Sequence, residues 1–192
     1  PVGRSRLRGR TDPARSLYRD GRFKGLWRAR ADSVRRRATL AAGYFEISAQ
    51  ARKLGFYTGL STNGTLIDRP LAQRIAQEGF DYVGISLDGL KPTHDKFRRL
   101  DGAFDRSLAA VRFLGELGVK VGLRFTMTAM NAHDLPNLLQ LMKDEGANKF
   151  YFSHLNYAGR GNIHRDKDAH HQATRTAMDL LFDHRSEEHT SE

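Results

Sequence analysis

Residues 66–89 read LIDRPLAQRIAQEGFDYVGISLDG, and the fold class follows from them. The first part predicts a helix. Asp68 is a capping residue, Pro70 falls in the first turn where its missing N–H costs nothing, and Gly79 is a stop. The second part, FDYVGISLDG, is short, apolar and closed by the turn former Asp-Gly, so it predicts a strand. A helix ended by glycine and followed at once by an apolar strand is half of a βαβ unit.

The alternation runs outward in both directions. YFEISAQARKLG (44–55) predicts a helix with Phe45, Ile47, Ala51 and Leu54 on or near one face and Gly55 as stop. FYTGLSTNG (56–64) is a short strand closing in a polar turn. AFDRSLAAVRFLGELG (103–118) is a helix, VKVGLRFTMT (119–128) a strand and HDLPNLLQLMKDEG (133–146) a helix. KFYFSHLNYAGRG (149–161) is a strand and loop, and DAHHQATRTAMDLLFDH (168–184) a last helix. Helices that stop in glycine before each strand are the mark of right-handed βαβ units on a parallel sheet. The class is α/β, either a (βα) barrel or a doubly wound sheet, with about four βα units.

The 192 residues carry 32 Lys+Arg against 22 Asp+Glu, a net charge of +10. That balance resembles a nucleic-acid footprint, but the whole excess lies in residues 1–44 and the rest is balanced. A basic nucleic-acid-binding arm is therefore one reading. It is disfavoured, because the arm lacks aromatic spacing and a recognisable motif. There is no cysteine, which excludes a disulfide framework, a zinc–thiolate site or an iron–sulfur site built from these residues. No apolar run is long enough to span a bilayer and no signal peptide is evident, so a soluble cytoplasmic protein is expected.

In either architecture chemistry sits where strands end and loops begin. Four ends are polar: Ser61-Thr62-Asn63-Gly64, Ser86-Leu87-Asp88-Gly89, Arg124-Phe125-Thr126-Met127-Thr128 and Ser153-His154-Leu155-Asn156-Tyr157. One such end is an ordinary turn. Four at the same edge of the sheet point to one ligand site.

STNG and then SLDG on successive strands, followed by THDKFRRLDG (93–102), make the chain resemble a radical S-adenosylmethionine enzyme of the branch with a C-terminal iron–sulfur (SPASM-type) extension. FYFSHLNYAGRG and DAHHQATRTAMDLLFD resemble most the members that act on modified iron tetrapyrroles in heme d1 formation. The resemblance covers roughly residues 45–184. It implies a partial (βα)6 TIM-like barrel, S-adenosylmethionine and a [4Fe–4S] cluster as cofactors, and an electron donor protein. The reaction implied is propionate side-chain removal from a tetrapyrrole through a 5′-deoxyadenosyl radical. A peptide-modifying maturase of the same superfamily is the nearest alternative.

Under this resemblance Thr62 and Asn63 contact S-adenosylmethionine, with a local capping turn as an equal alternative. Ser86 and Asp88 hold the ribose diol. Arg124 takes the methionine carboxylate, the alternative being an internal salt bridge, and Thr126 lines the same site or is a plain strand former. His154 and Asn156 face adenine or the tetrapyrrole, against the alternative of a hydrogen-bonded core histidine. Arg160 meets a propionate or lies in a surface turn, His164 is a loop residue, and His170-His171 is a solvated pair.

The family's three cluster cysteines and its Gly-Gly-Glu-Pro segment are missing, and both belong just before Phe45. Reading the DNA behind Trp27 to Tyr44 one base later permits GVPVLILSGGEPLLRPDI, which contains that segment and joins FEIS at the right place. Residues 1–44 are therefore expected to be out of frame, 45–184 to be the partial barrel, and RSEEHTSE (185–192) to be encoded by sequencing-adapter DNA. The chain alone is expected to be inactive.

Overall fold

The computed structural model describes residues 43–155 and 165–189, with side chains through Asp183. The chain divides into two compact units, Pro1–Gln50 and Ala51–Glu192. What is described of the first is the start of helix α1 (Tyr44–Lys53), where Ser48 Oγ donates to the Tyr44 carbonyl. Phe45 is buried, but Ile47 and Leu54 stay 40% and 51% exposed, so the apolar face expected for this helix is only partly realised.

The second unit is a four-stranded parallel sheet in the order β1-β2-β3-β4: β1 (Gly59–Thr62), β2 (Tyr82–Ser86), β3 (Val121–Met127) and β4 (Lys149–His154). Helices α2 (Arg69–Glu78), α4 (Ala103–Glu116) and α5 (Leu135–Asp144) connect the strands, and α6 (His171–His189) follows β4. The α/β class and the four units are as the sequence predicts. The local signals act as expected too. Asp68 accepts from the Leu71 N–H at 2.9 Å, Pro70 occupies the first turn, and Gly79 closes α2 in the left-handed region at φ 67°.

One element is added. Helix α3 (Lys91–Arg98) stands between β2 and α4 and buries a single residue, His94. Such a helix carries no apolar stripe to be read. It is held by polar bonds: both Asp95 carboxylate oxygens accept backbone N–H groups, from Gly102 and Phe104, at 2.8 Å. Those groups open α4, where a negative charge is favoured.

The pleat divides the sheet into two faces. Val83, Ile85, Val121, Leu123, Phe125 and Met127 form one, each at most 2% exposed, with α4 packed on β2 and β3 and α5 on β4. Each such side chain contributes about 1.5–3 kcal/mol by leaving water. The opposite face, in register across β2, β3 and β4, carries Tyr82, Gly84, Ser86, Gly122, Arg124, Thr126, Tyr151 and Ser153. That face is polar and aromatic, as the inside of a partial barrel is where a ligand enters.

Candidate functional site

Arg124 is the charge at the centre of this polar face. It stands mid-strand on β3, between Ser86 on β2 and Tyr151 on β4. Its guanidinium lies over the Tyr151 ring, 5.5 Å from the centroid, and beside the Tyr82 side chain. No carboxylate among the described residues pairs with it, so the internal salt bridge weighed from the sequence is not what the fold builds. A half-buried guanidinium without a counter-charge is a receptor for an anion, and its fork suits a carboxylate.

Ser86 and Thr126 share this face, both half-buried. The Thr126 hydroxyl lies 3.2 Å from that of Ser153. Beneath them the Tyr82 ring lies across two glycines. A Cβ on Gly84 would stand 2.7 Å from Arg124 Cδ and 2.8 Å from the Tyr82 hydroxyl; one on Gly122 would stand 2.7 Å from that same hydroxyl. Real Cβ atoms do not approach so closely, so glycine is what admits the ring.

The Asp88 carboxylate is engaged within the protein. It is 1% exposed, its Oδ1 accepts from the Thr126 N–H at 3.1 Å and its Oδ2 is ion-paired with Arg98 of α3. Burial raises its pKa, and the Arg98 charge opposes that rise. The backbone N–H of Asp88 donates to His94 Nδ1 at 2.9 Å. Accepting there puts the proton of the neutral imidazole on Nε2. Burial, helped by the Arg98 charge, pushes His94 down to about 4, so the ring is neutral near pH 7.

Asn131 completes the clasp. Its amide donates to the carbonyls of Asp88 and Thr126, both at 3.0 Å, while its Oδ1 accepts from the Thr128 N–H and hydroxyl. The ends of β2 and β3 are thereby locked together. Sequence reasoning passed over His94, Arg98 and Asn131. Their signal was a polar residue at each of three positions that fold inward, which no period reveals.

Thr62 and Asn63 are spent on their own turn. Thr62 Oγ1 accepts from the Gly64 N–H, and Asn63 Oδ1 from the Thr65 N–H and hydroxyl. His154 follows the pleat onto the side of Phe150 and Phe152, its ring edge-to-face with Phe152 at 5.3 Å, and not onto the side of Arg124. His170 and His171 are exposed. Asn156, Arg160 and His164 lie outside the described residues. Among the described residues no cluster of three His, Cys, Asp or Glu could hold a metal, and no helix is long and apolar enough to cross a membrane.

Comparison with known proteins fits this layout. The sequence matches the radical SAM superfamily over residues 35–150. This chain belongs to the radical SAM superfamily. Among curated relatives it is 54% identical over 138 residues to the pre-heme d1 synthase of Dinoroseobacter shibae, covering 72% of this chain and 34% of that protein. It is 44% identical over 138 residues to the Fe-coproporphyrin III synthase of Methanosarcina barkeri, covering 72% and 35%. The chain thus spans about a third of the length of these relatives. Streptococcus suis SuiB bound to S-adenosylmethionine shares the fold, with TM-score 0.62 over 79% of this chain and 34% of that one at 16% identity.

Radical SAM proteins work with S-adenosylmethionine and a [4Fe–4S] cluster. The polar face suits the first, since Arg124 offers an uncompensated guanidinium and Ser86 a half-buried hydroxyl beside it. The cluster does not fit this chain: it needs thiolates, and there is no cysteine in the sequence.

Proposed function

We propose that this chain is the S-adenosylmethionine-holding part of a radical SAM enzyme acting on a modified iron tetrapyrrole in heme d1 formation, and that alone it is catalytically silent. The observation that carries the substrate class is 54% identity to a pre-heme d1 synthase, supported by 44% identity to an Fe-coproporphyrin III synthase. In this reading Arg124 holds the methionine carboxylate of S-adenosylmethionine through its fork, and Ser86 meets the nucleoside part. The bound nucleoside supplies the hydrogen-abstracting chemistry, and the protein supplies position and charge. Silence follows from the missing thiolates, so no step through a cluster belongs to this chain. Residues 1–44 and 185–192 are assigned to an out-of-frame segment and an adapter-encoded tail.

Titration with iron coproporphyrin tests the substrate class. A saturable shift of the Soret band, not displaced by an excess of an unrelated peptide, is expected; no shift would remove the tetrapyrrole. Silence is tested by supplying iron and sulfide without oxygen. Cleavage of S-adenosylmethionine by the treated chain would overturn it. The nucleotide sequence across codons 27–45, read one base later, tests the frame.

A further inference from the structure

Most buried arginines in proteins are held by a carboxylate, which fixes the fork but cancels its charge. Arg124 is held otherwise. Tyr151 gives it a ring face at 5.5 Å, within the range of a cation–π contact. Beside it Tyr82 lies across Gly84 and Gly122, its hydroxyl near the place where Arg124 Cδ also converges. The two rings meet at 5.1 Å with 52° between their planes. Tyr82 is 5% exposed, and its hydroxyl is fully buried with no hydrogen-bond partner among the described residues.

We propose that Tyr82 and Tyr151 are positioning residues for Arg124: a neutral aromatic bracket that fixes the guanidinium while leaving its whole charge for the carboxylate of the bound nucleoside. This rests on the reading of Arg124 given above. A carboxylate in the place of either tyrosine would orient the arginine equally well but would compete with the ligand. A tyrosine presents a ring face and a hydroxyl dipole to the arginine without contributing a formal charge. Burial pushes the Tyr82 phenol up to about 12, so it stays neutral where the protein works. The two glycines serve the same end, since they let a full ring lie flat under the arginine where any side chain would lift it away.

The test compares two nucleosides that differ in the carboxylate. S-adenosylhomocysteine carries the amino-acid group and 5′-methylthioadenosine does not, and both are titrated calorimetrically into the full chain. The wild type is expected to prefer S-adenosylhomocysteine by at least about tenfold. Tyr82→Phe, which keeps the ring and removes one oxygen, is expected to shrink that preference about fivefold with little change for methylthioadenosine. Tyr151→Leu is expected to shrink it about threefold, and its half-exposed position makes it the safer variant for folding. Thermal melts confirm that each variant is folded.

If the wild type shows the preference and both folded variants keep it undiminished, the bracket is wrong and the Arg124 reading stands. If the wild type binds both nucleosides equally, or neither, the Arg124 reading falls and the bracket falls with it. A variant that weakens both nucleosides alike has only a structural role, which also overturns the bracket.

Discussion

Leu123 and Arg124 are neighbours on β3 and are held in opposite ways. Leu123 is 1% exposed, on the face that α4 and α5 cover, and what fixes it is shape. Arg124 faces the other way, half-buried, with its guanidinium over the Tyr151 ring. A second contrast runs along the same edge. Asp88 at the end of β2 is neutralised by Arg98 and sealed by Asn131, whereas Arg124 meets no carboxylate among the described residues. The helix-covered face spends its residues on stability. The open face carries Arg124 with no carboxylate paired to it among the described residues.

Substitutions can break this contrast, the largest first. Phe125 is fully buried, so Phe125→Ala is expected to cost about 4 kcal/mol, while Ser153→Ala on the opposite face costs under about 0.5 kcal/mol. Urea midpoints measure both, and equal losses would mean that the faces do not differ.

Arg98→Ala strands the Asp88 carboxylate and is expected to cost about 3 kcal/mol. The exposed pair of Arg69 with Glu116 gives the control, where Arg69→Ala costs under about 1 kcal/mol.

His94 sharpens the comparison through pH. The unfolded histidine takes a proton near its ordinary value of 6.5 and the folded one only at about 4. Stability is therefore expected to fall as pH falls through that window, by up to about 3 kcal/mol from this group. Asp88 opposes part of the loss, because its raised pKa makes the folded state the better proton acceptor there. His94→Gln is expected to flatten the profile; an unchanged slope would assign it to other groups.

The smallest stability effect belongs to Arg124. Arg124→Met is expected to shift the melting temperature by no more than about 2 °C, because no ion pair is lost. The same change is expected to abolish any preference for a carboxylate-bearing nucleoside.

Where the sequence was legible, each residue's local chemistry agreed with its place in the fold. Asp68, Pro70 and Gly79 bound α2 as their types demand, and the apolar run before Ser86 is a buried strand. Of the site residues expected from the sequence, Arg124, Ser86 and Thr126 share one face, while Asp88 is buried with its carboxylate taken up by the Thr126 N–H and Arg98. His154 shares the face of Phe150 and Phe152 because side chains alternate with a period of two, and register across strands is not written in either strand alone. Helix α3 escaped because its bonds are polar and its buried face is one imidazole. The burial of Ile47 and Leu54 failed because a 3.6-residue period states which residues could share a face, not whether anything covers them.

Gly84 and Gly122 set the depth of the polar face. They stand side by side in the parallel ladder of β2 and β3, and between them they subtract two carbon atoms from the middle of the sheet. The Tyr82 ring sinks into that hollow. How far a ligand can descend toward Arg124 is thus set by carbon that is absent. A single methyl group at Gly84 would press on Arg124 Cδ and the Tyr82 hydroxyl together, and one at Gly122 on the Tyr82 ring, so either would raise the floor beneath the guanidinium.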